Sequence, residues 1–267
     1  MINKTILTIL TLLYLTTYST AQSLAEKYDH IKEDFLGKTY IGVGIGAAIP
    51  FNEFANKDPN SSSSGYAKIG FTYNFTFRYA FSDYFGIAAK YFSTSNQFDA
   101  QKYQNDCNKV YAPSTCLFTS DPWTIQGFMI VPTYLYKSPK YNIEIGVGIG
   151  DLTGTMPANN LVFTPPLPVS LYTSQGIINT KILNQTQSAY STNNFAVSFE
   201  MAFRYMIAKN LILSASADVV LCDLTFKSTQ QLLSDTAGNV YAGTLPNYLQ
   251  PFRLVHLNIG LGFQLDN

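Results

Sequence analysis

The stretch that decides the fold is KIGFTYNFTFRY, residues 68–79. Large apolar side chains occupy every second position from Ile69 to Tyr79, and small or polar side chains fill the positions between them. This period of two predicts a β-strand, and it persists for at least ten residues. Strands of water-soluble proteins usually span about 5–6 residues, whereas transmembrane strands need about 9–11. Length and aromatic content together predict a strand with one face in lipid.

The same alternation recurs in seven further stretches. They are residues 41–47, 85–91, 123–136, 141–150, 195–205, 211–219 and 255–263. Residues 123–136 have an ambiguous face, because Pro132 disturbs the pattern. The chain therefore contains eight predicted strands.

Tight turns and long polar segments alternate between these strands. The turns are residues 81–83, 137–140 and 208–210, and the long segments are residues 50–66, 93–122, 152–192 and 224–251. Outer-membrane barrels have short periplasmic turns and longer extracellular loops. The pattern predicts an all-β fold: an eight-stranded antiparallel transmembrane up-and-down β-barrel with both termini in the periplasm. Ten strands are the alternative, if a hairpin within residues 177–187 enters the membrane.

The N-terminus predicts export. Lys4, an apolar run over residues 6–14, and the small residues Ser19 and Ala21 are typical of a signal peptide, residues 1–21. A retained signal anchor is the alternative, although the run is shorter than the ~20 residues that a spanning helix needs. The predicted location is the cell outer membrane.

Residues 22–36 form a separate predicted segment ahead of the barrel domain, residues 37–267. Their apolar side chains recur at helical spacing and predict a short amphipathic periplasmic helix: Leu24, Tyr28, Ile31 and Phe35. Glycines predicted to face the lumen leave room inside the barrel: Gly42, Gly44, Gly46, Gly260 and Gly262. The helix either tucks into that opening or stays outside it.

Composition favours the membrane reading over a soluble barrel or sandwich. Charged residues make up 13% of the chain, about half the usual share, and aromatic residues reach 15%. Aromatic residues near strand ends predict two interfacial girdles: Tyr40, Tyr79, Tyr84, Tyr141 and Tyr205 on the periplasmic side, and Tyr66, Tyr91, Trp123 and Phe252 on the outer side. The 17 basic and 17 acidic residues balance, so no nucleic-acid partner is predicted.

On this strand pattern, residues 38–265 resemble the small OmpA/OmpX-type and opacity-protein-like outer-membrane barrels. The closing strand, which ends LGFQL at residues 261–265, carries part of the resemblance. The resemblance implies contacts with outer-membrane lipid and lipopolysaccharide, and with the barrel-insertion machinery during assembly. It also implies a packed lumen network rather than an open pore.

Charged side chains on the predicted inner faces are the candidate site residues. They are Lys68, Arg78, Lys90, Glu144, Glu200, Arg204, Asp218 and His256. Glu200 and Asp218 are predicted to lie nearly opposite each other, where two carboxylates would repel unless a cation lies between them. Lys90, at a comparable height, could supply that cation. The network is either structural or the lining of a charge-gated narrow conduit.

Cysteines and histidines give little sign of chemistry. Cys107 and Cys116 lie close together and predict a local disulfide, while Cys222 is left over. The only histidines are His30 and His256, and no motif for a metal, a phosphate or a serine nucleophile accompanies them. No catalytic residue, metal ligand or cofactor is therefore predicted.

The outer loops are the predicted site of function, because binding residues are often displayed on loops of a rigid scaffold. Their Ser, Asn, Thr and Tyr content suits adhesion to host proteins or glycans. We expect a non-enzymatic surface barrel for host or environmental interaction and envelope integrity. The alternatives are a narrow small-solute channel, a barrel enzyme acting on lipid A, or an antigenically variable surface without a partner.

Overall fold

The computed structural model describes residues 38–265, apart from residues 62, 139, 167–168, 174–175, 181, 209, 228–229, 236–238 and 245–246. The predicted signal peptide and the predicted periplasmic helix lie outside the described residues, so both stay predictions. No helix within the described residues is long and apolar enough to cross a membrane.

Eight antiparallel strands form a closed barrel, which confirms the predicted fold class. The strands are β1 (Thr39–Pro50), β2 (Gly70–Ala80), β3 (Phe85–Asn96), β5 (Trp123–Lys137), β6 (Tyr141–Met156), β11 (Tyr190–Ala208), β12 (Leu211–Phe226) and β15 (Tyr248–Leu265). Each pairs with its barrel neighbours along the chain, and β1 closes the ring against β15. Several strands are longer than the alternation predicted, because they continue past the apolar belt on the outer side.

The long outer segments carry a second layer of strands, which the sequence did not predict. A five-stranded sheet, the outer sheet, has the order β14-β13-β10-β7-β4. Its members are β4 (Thr115–Ser120), β7 (Asn159–Thr164), β10 (Leu183–Gln187), β13 (Gln230–Ser234) and β14 (Val240–Thr244), while β8 (Val169–Thr173) and β9 (Gly176–Thr180) pair separately. The hairpin predicted within residues 177–187 is wrong, because β9 pairs with β8 and β10 pairs with β7 and β13. The ten-strand alternative is wrong for the same reason: these strands join no barrel strand.

The barrel exterior is an apolar belt of membrane height. On β6, Ile145, Val147 and Ile149 are each about half exposed, whereas the side chain of Glu144 is buried inside. On β11 the belt runs from Phe195 to Tyr205, ten residues apart. Ten residues rise about 26 Å across a membrane when a strand tilts by about 40°, which matches the ~25 Å apolar band of outer-membrane barrels. The chain is therefore an outer-membrane β-barrel protein, and the apolar faces of its strands contact lipid.

The periplasmic aromatic girdle is present, and the outer one is wrong at three of its four predicted positions. Tyr79, Tyr84 and Tyr205 are exposed on the exterior near the tight turns. Tyr66, Trp123 and Phe252, assigned to the outer girdle, are instead buried. Tyr40, which was predicted for the periplasmic girdle, is also buried inside the barrel. Polar side chains mark the outer boundary on the exterior instead: Gln126, Asp151, Asn193 and Asp223.

Two short helices shape the outer loops. Helix α1 (Asn52–Ala55) follows β1 and places Phe54, which is fully buried, over the barrel mouth. Helix α2 (Ala100–Val110) follows β3 and packs beside β4. Asp99 begins α2, since its carboxylate accepts a hydrogen bond from the backbone N–H of Lys102 at 3.3 Å. The interior of the barrel thus lies between the periplasmic opening and a structured outer layer.

Candidate functional site

An arginine cluster fills the periplasmic third of the lumen. Glu144 on β6 lies between two guanidinium groups, with its Oε1 at 3.3 Å from Arg78 Nε and its Oε2 paired with Arg204. The Nδ2 group of Asn142 donates a hydrogen bond to Glu144 Oε1 at 3.2 Å. The Arg204 guanidinium also lies over the ring of Tyr40, at 4.2 Å from its centroid. All five side chains are buried, so each depends on the others for polar partners.

A lysine cluster lies one layer further out. The register of β11 against β12 pairs Glu200 with Asp218. Lys90 Nζ reaches across from β3 to within 2.5 Å of Asp218 Oδ2 and 3.3 Å of Glu200 Oε2. Asn258 donates a further hydrogen bond to Asp218 Oδ2 at 3.3 Å. The structure thus places the Lys90 ammonium between the two carboxylates.

The charges of the two clusters cancel only when both clusters are counted together. The arginine cluster has two cations and one carboxylate, and the lysine cluster has one cation and two carboxylates. Three positive and three negative side chains therefore give a net charge of zero across the lumen. Between the clusters lies a cavity of about 20 Å³, bordered by Glu200 and Arg204, which is space for about one water molecule. The lumen at this height is packed and neutral.

His256 takes no part in the ion pairs. Its Nε2 lies 3.2 Å from the Thr94 hydroxyl, and its ring meets the edge of Phe92 at 4.9 Å between centroids. In the register of β12 against β15, His256 lies opposite Asp218. Within the described ranges, no group of three His, Cys, Asp or Glu side chains could hold a metal ion.

An apolar plug closes the outer half of the lumen above these clusters. We define it by its fully or nearly fully buried large side chains: Phe54, Phe92, Trp123, Ile125, Met129, Leu152, Leu224, Phe226, Phe252 and Leu254. The ring of Phe54 lies 4.6 Å from that of Phe252 and 5.7 Å from that of Trp123. The indole N–H of Trp123 donates to the carbonyl of Gly65 at 2.9 Å, which ties the first outer loop to the plug. A hydrated ion would have to displace this packing in order to pass.

Inward glycines make room for the large interior rings. A Cβ atom at Gly42 would lie 2.1 Å from the Tyr40 hydroxyl, and one at Gly262 would lie 2.4 Å from the Tyr40 ring. A Cβ atom at Gly127 would likewise meet the ring of Phe92 at 2.4 Å. These three glycines therefore make room for rings, whereas a Cβ atom at Gly46 would meet the backbone carbonyl of Leu257 and one at Gly260 that of Val43.

An open cavity of about 600 Å³, the outer cavity, lies above the plug and beside the outer sheet. This volume is in the range of small-molecule sites, about 300–1,000 Å³. One side is an aromatic wall and the base is an aromatic floor: Tyr66, Phe98, Tyr103 and Phe118 form the wall, and Trp123, Phe226 and Tyr248 form the floor. Several lining residues are solvent-exposed and mark the mouth: Asp58, Val110, Tyr111 and Asn247.

Helix α2 holds the wall in place. The predicted disulfide between Cys107 and Cys116 is confirmed, and it joins α2 to β4. Asp99 pairs with Lys57 at 2.6 Å and with Lys68 at 3.2 Å. Burial raises the pKa of Asp99, but hydrogen bonds from Lys57, Lys68 and the backbone of α2 outweigh it, so the pKa lies below its ordinary value. Lys68 was predicted to face the lumen; instead it precedes β2, is exposed, and anchors the loop.

The wall stays uncharged near neutral pH. Burial raises the pKa of Tyr66, and the neighbouring Asp106 carboxylate raises it further. Burial also raises the pKa of Tyr103, with a smaller contribution from Tyr111. Both hydroxyls therefore remain protonated near neutral pH.

The structure brings together most of the predicted lumen residues and adds others. Arg78, Glu144 and Arg204 meet in one cluster, and Lys90, Glu200 and Asp218 meet in the other; His256 lies opposite Asp218 on the neighbouring strand but forms no ion pair with it. Sequence reasoning missed Tyr40, Asn142 and Asn258, which are polar partners at inward positions of their strands. The two-residue alternation of each strand already indicated that these side chains point inward, but only charged residues were considered as site candidates. The outer cavity had no local signal, since its lining comes from all four long outer segments and from the start of β5.

No protein-family model and no curated protein matches the chain. Solved structures similar to it include Neisserial surface protein A, with a TM-score of 0.43, 13% identity, and 85% of this chain and 97% of that chain covered. The outer membrane protein OprG from Pseudomonas aeruginosa has a TM-score of 0.42 and 11% identity, with 86% of this chain and 97% of that chain covered. Another similar structure is Ail, the attachment invasion locus protein of Yersinia pestis, solved with the heparin analogue sucrose octasulfate. It has a TM-score of 0.38 and 11% identity, with 85% of this chain and 99% of that chain covered. At these values the similarity says nothing about what the present chain binds.

Proposed function

We propose that this protein is a non-conducting, non-enzymatic surface barrel of the outer membrane that binds extracellular molecules through its outer layer. The observation that carries the proposal is the contrast between a closed lumen and an open outer cavity. The lumen is filled by two ion-pair clusters and the apolar plug, whereas the cavity of about 600 Å³ opens away from the membrane. A molecule arriving from outside therefore meets a binding surface and no passage.

The outer layer has the order that a binding site needs. The outer sheet, the disulfide and the Asp99 ion pairs hold the loops against the barrel rim, and Trp123 links the first loop to the plug. Preordered loops lose less conformational entropy when they bind than flexible ones do. This order favours binding over a purely solvated, variable surface.

Outer-leaflet lipid is part of the same proposal. Arg253 pairs with Asp223 at 2.6 Å on the exterior, at the height where the apolar belt ends. Such polar groups at the boundary would contact lipopolysaccharide headgroups, and this contact would add to envelope integrity. Host proteins or glycans are the partners expected at the loops, and the barrel-insertion machinery is the partner expected during assembly.

Planar-bilayer recording of the refolded full chain tests the closed lumen. We expect no conductance steps above the bilayer baseline when folded, inserted protein is present. A variant tests whether the clusters block ions without an intact plug. Phe92→Ala with Phe252→Ala removes two rings of the plug, and we expect it also to give no conductance steps, because the lysine and arginine clusters still fill the lumen below. Discrete, ion-selective steps from the unmodified protein would overturn the non-conducting assignment and favour the channel.

Whole cells test the outward binding role. Cells that display the protein should adhere to host-cell monolayers or glycan-coated surfaces several-fold more than matched cells without it. Cells displaying Tyr134→Leu, a change on the lipid-facing side near the periplasm, should adhere as the unmodified protein does. Equal adhesion with and without the protein would leave only the envelope role.

A further inference from the structure

The aromatic wall is built from rings that already contact one another. Tyr66 stacks on Phe98 at 5.5 Å between centroids, and Tyr103 meets Phe118 at 4.3 Å. Tyr103 also meets Tyr66 edge to face at 5.3 Å. The ring faces are thus partly occupied, and the wall offers the cavity a corner of ring edges and partial faces. A flat aromatic ligand can contact these ring edges and partial faces in edge-to-face and offset-stacked arrangements.

Several polar groups of the outer cavity already have partners within the protein. Asp106 accepts hydrogen bonds from the Tyr66 hydroxyl at 3.3 Å and from the ammonium of Lys102. Asn159 donates to Gln187 at 3.1 Å, and the Tyr248 hydroxyl donates to Gln250. Asp58, at the mouth, accepts from the backbone of Asn60 at 2.9 Å.

These commitments separate the ligand classes that aromatic cavities commonly take. A sugar needs several available donors and acceptors beside an open ring face, and the polar side chains just named already have partners within the protein. An organic cation needs a carboxylate beside open ring faces, but Asp106 on the wall already pairs with Lys102, and Asp58 is exposed at the mouth, where solvent and salt screen its charge. An apolar aromatic molecule needs neither, and it removes apolar surface from water at no cost in broken hydrogen bonds.

We propose that the outer cavity binds a small, flat, predominantly apolar aromatic molecule between the aromatic wall and the aromatic floor. This inference rests on the outward binding role proposed above and specifies one ligand class for it. The ligand contacts Tyr103 and Phe118 on the wall side and Trp123 at the base. It enters past Tyr111 and does not cross the plug.

Trp123 is the only tryptophan of the chain and lies in the floor of the cavity, so it is a built-in reporter. Protein produced with 5-fluorotryptophan and placed in lipid nanodiscs has a single ¹⁹F resonance. Indole is the aromatic probe, methyl α-glucoside the sugar probe and tetramethylammonium the cation probe. We expect a saturable shift of the resonance with indole and no saturable shift with the other two.

Three variants separate cavity binding from partition of indole into lipid. Tyr103→Leu keeps apolar bulk but removes a wall ring, and it should weaken the indole dissociation constant about tenfold. Tyr103→Phe keeps the ring and should bind as the unmodified protein does. Tyr134→Leu, on the lipid-facing surface, should also leave the titration unchanged. Phe118→Leu repeats the wall test at a second ring if Tyr103→Leu fails to fold.

Each outcome decides the proposal. Saturable indole binding that depends on the ring at position 103 supports it. A non-saturating shift that is equal in all variants shows partition only and overturns it, as does saturable binding of the glucoside or the ammonium ion in place of indole. A negative result here, combined with absent conductance and positive adhesion, would overturn the ligand class and leave the proposed function standing.

Discussion

The two halves of the barrel interior have the same strand scaffold but opposite chemistry. Towards the periplasm, three cations and three carboxylates fill the lumen and depend on one another for partners. Towards the outside, the same strands turn Trp123, Leu224 and Phe252 inward and form the apolar plug. The first half is filled by ion-paired side chains and the second by closely packed apolar side chains. Inward positions on a lipid-embedded barrel strand can therefore be either charged or apolar, depending on their height in the barrel.

Removing the central cation should give the largest effect on stability. Lys90→Met leaves Glu200 and Asp218 facing each other without a counter-ion, and we expect the free energy of unfolding to fall by about 3–5 kcal/mol. Urea titration of protein folded into lipid vesicles measures this change.

A charge-neutral variant sharpens the same test. Lys90→Met combined with Asp218→Asn removes the ion pair at 2.5 Å and keeps the net charge of the lumen at zero. We expect this variant to recover most of the lost stability, because an intact buried ion pair contributes little beyond its uncharged replacement. If Lys90→Met were as stable as the unmodified protein, the cluster would not depend on its lysine.

Removal of a ring from the plug should lower the free energy of unfolding more than removal of a ring from the lipid-facing surface. Phe252→Leu leaves a void that rigid neighbours cannot fill, and we expect a loss of about 1–2 kcal/mol. Phe199→Leu is the matched change on the exterior, where fluid acyl chains fill the space, so its loss should be well under about 1 kcal/mol. Equal losses in the same urea titration would show that the plug is as loosely packed as the lipid boundary.

The smallest effect is expected at the outer loop anchor. Asp99→Asn keeps the cap of helix α2 but removes the charge that pairs with Lys57 and Lys68, both substantially exposed. We expect the opening free energy of α2, measured by amide hydrogen exchange, to fall by less than about 1 kcal/mol at pH 7.

The same contact has a defined pH dependence. Because the pKa of Asp99 is lowered in the folded protein, its contribution is complete above the ordinary aspartate pKa of about 3.9 and is lost as the pH falls through the folded value. The difference between the unmodified protein and Asp99→Asn should therefore vanish in acid. A difference that stays the same from pH 7 to the lowest pH at which the barrel remains folded would mean that the pairs with Lys57 and Lys68 are not its source.

Local pattern predicted the barrel strands well and the outer layer poorly. Residues 69–79 alternate so strictly that both faces of β2 could be assigned, and the inward side of Arg78 followed. The face of β5 could not be assigned, because Pro132 interrupts the pattern; the structure turns Trp123, Ile125 and Met129 inward. Tyr66 and Phe252 were misplaced for a related reason: an aromatic residue at a strand end fits an interfacial girdle and a plug equally well.

The candidate sites show the same division. Glu200 and Asp218 could be paired by counting outward from the turn at residues 208–210, because hairpin register is set by the turn. The aromatic wall could not be predicted, since it joins α2, β4 and the first outer loop through contacts between residues far apart in the chain.

The sequence by itself determined the number of barrel strands, the alternating faces of seven of them and the membrane-facing side, because a barrel strand in lipid repeats its chemistry every two residues along its membrane-spanning part. Only the tertiary structure decided which inward side chains meet, how Lys90 lies between two carboxylates, and that rings from distant loops enclose a cavity. Ring closure and loop packing bring together residues that no local period relates. The physical reason is that strand alternation is set by backbone geometry, whereas partner choice across a lumen is set by closure of the whole barrel.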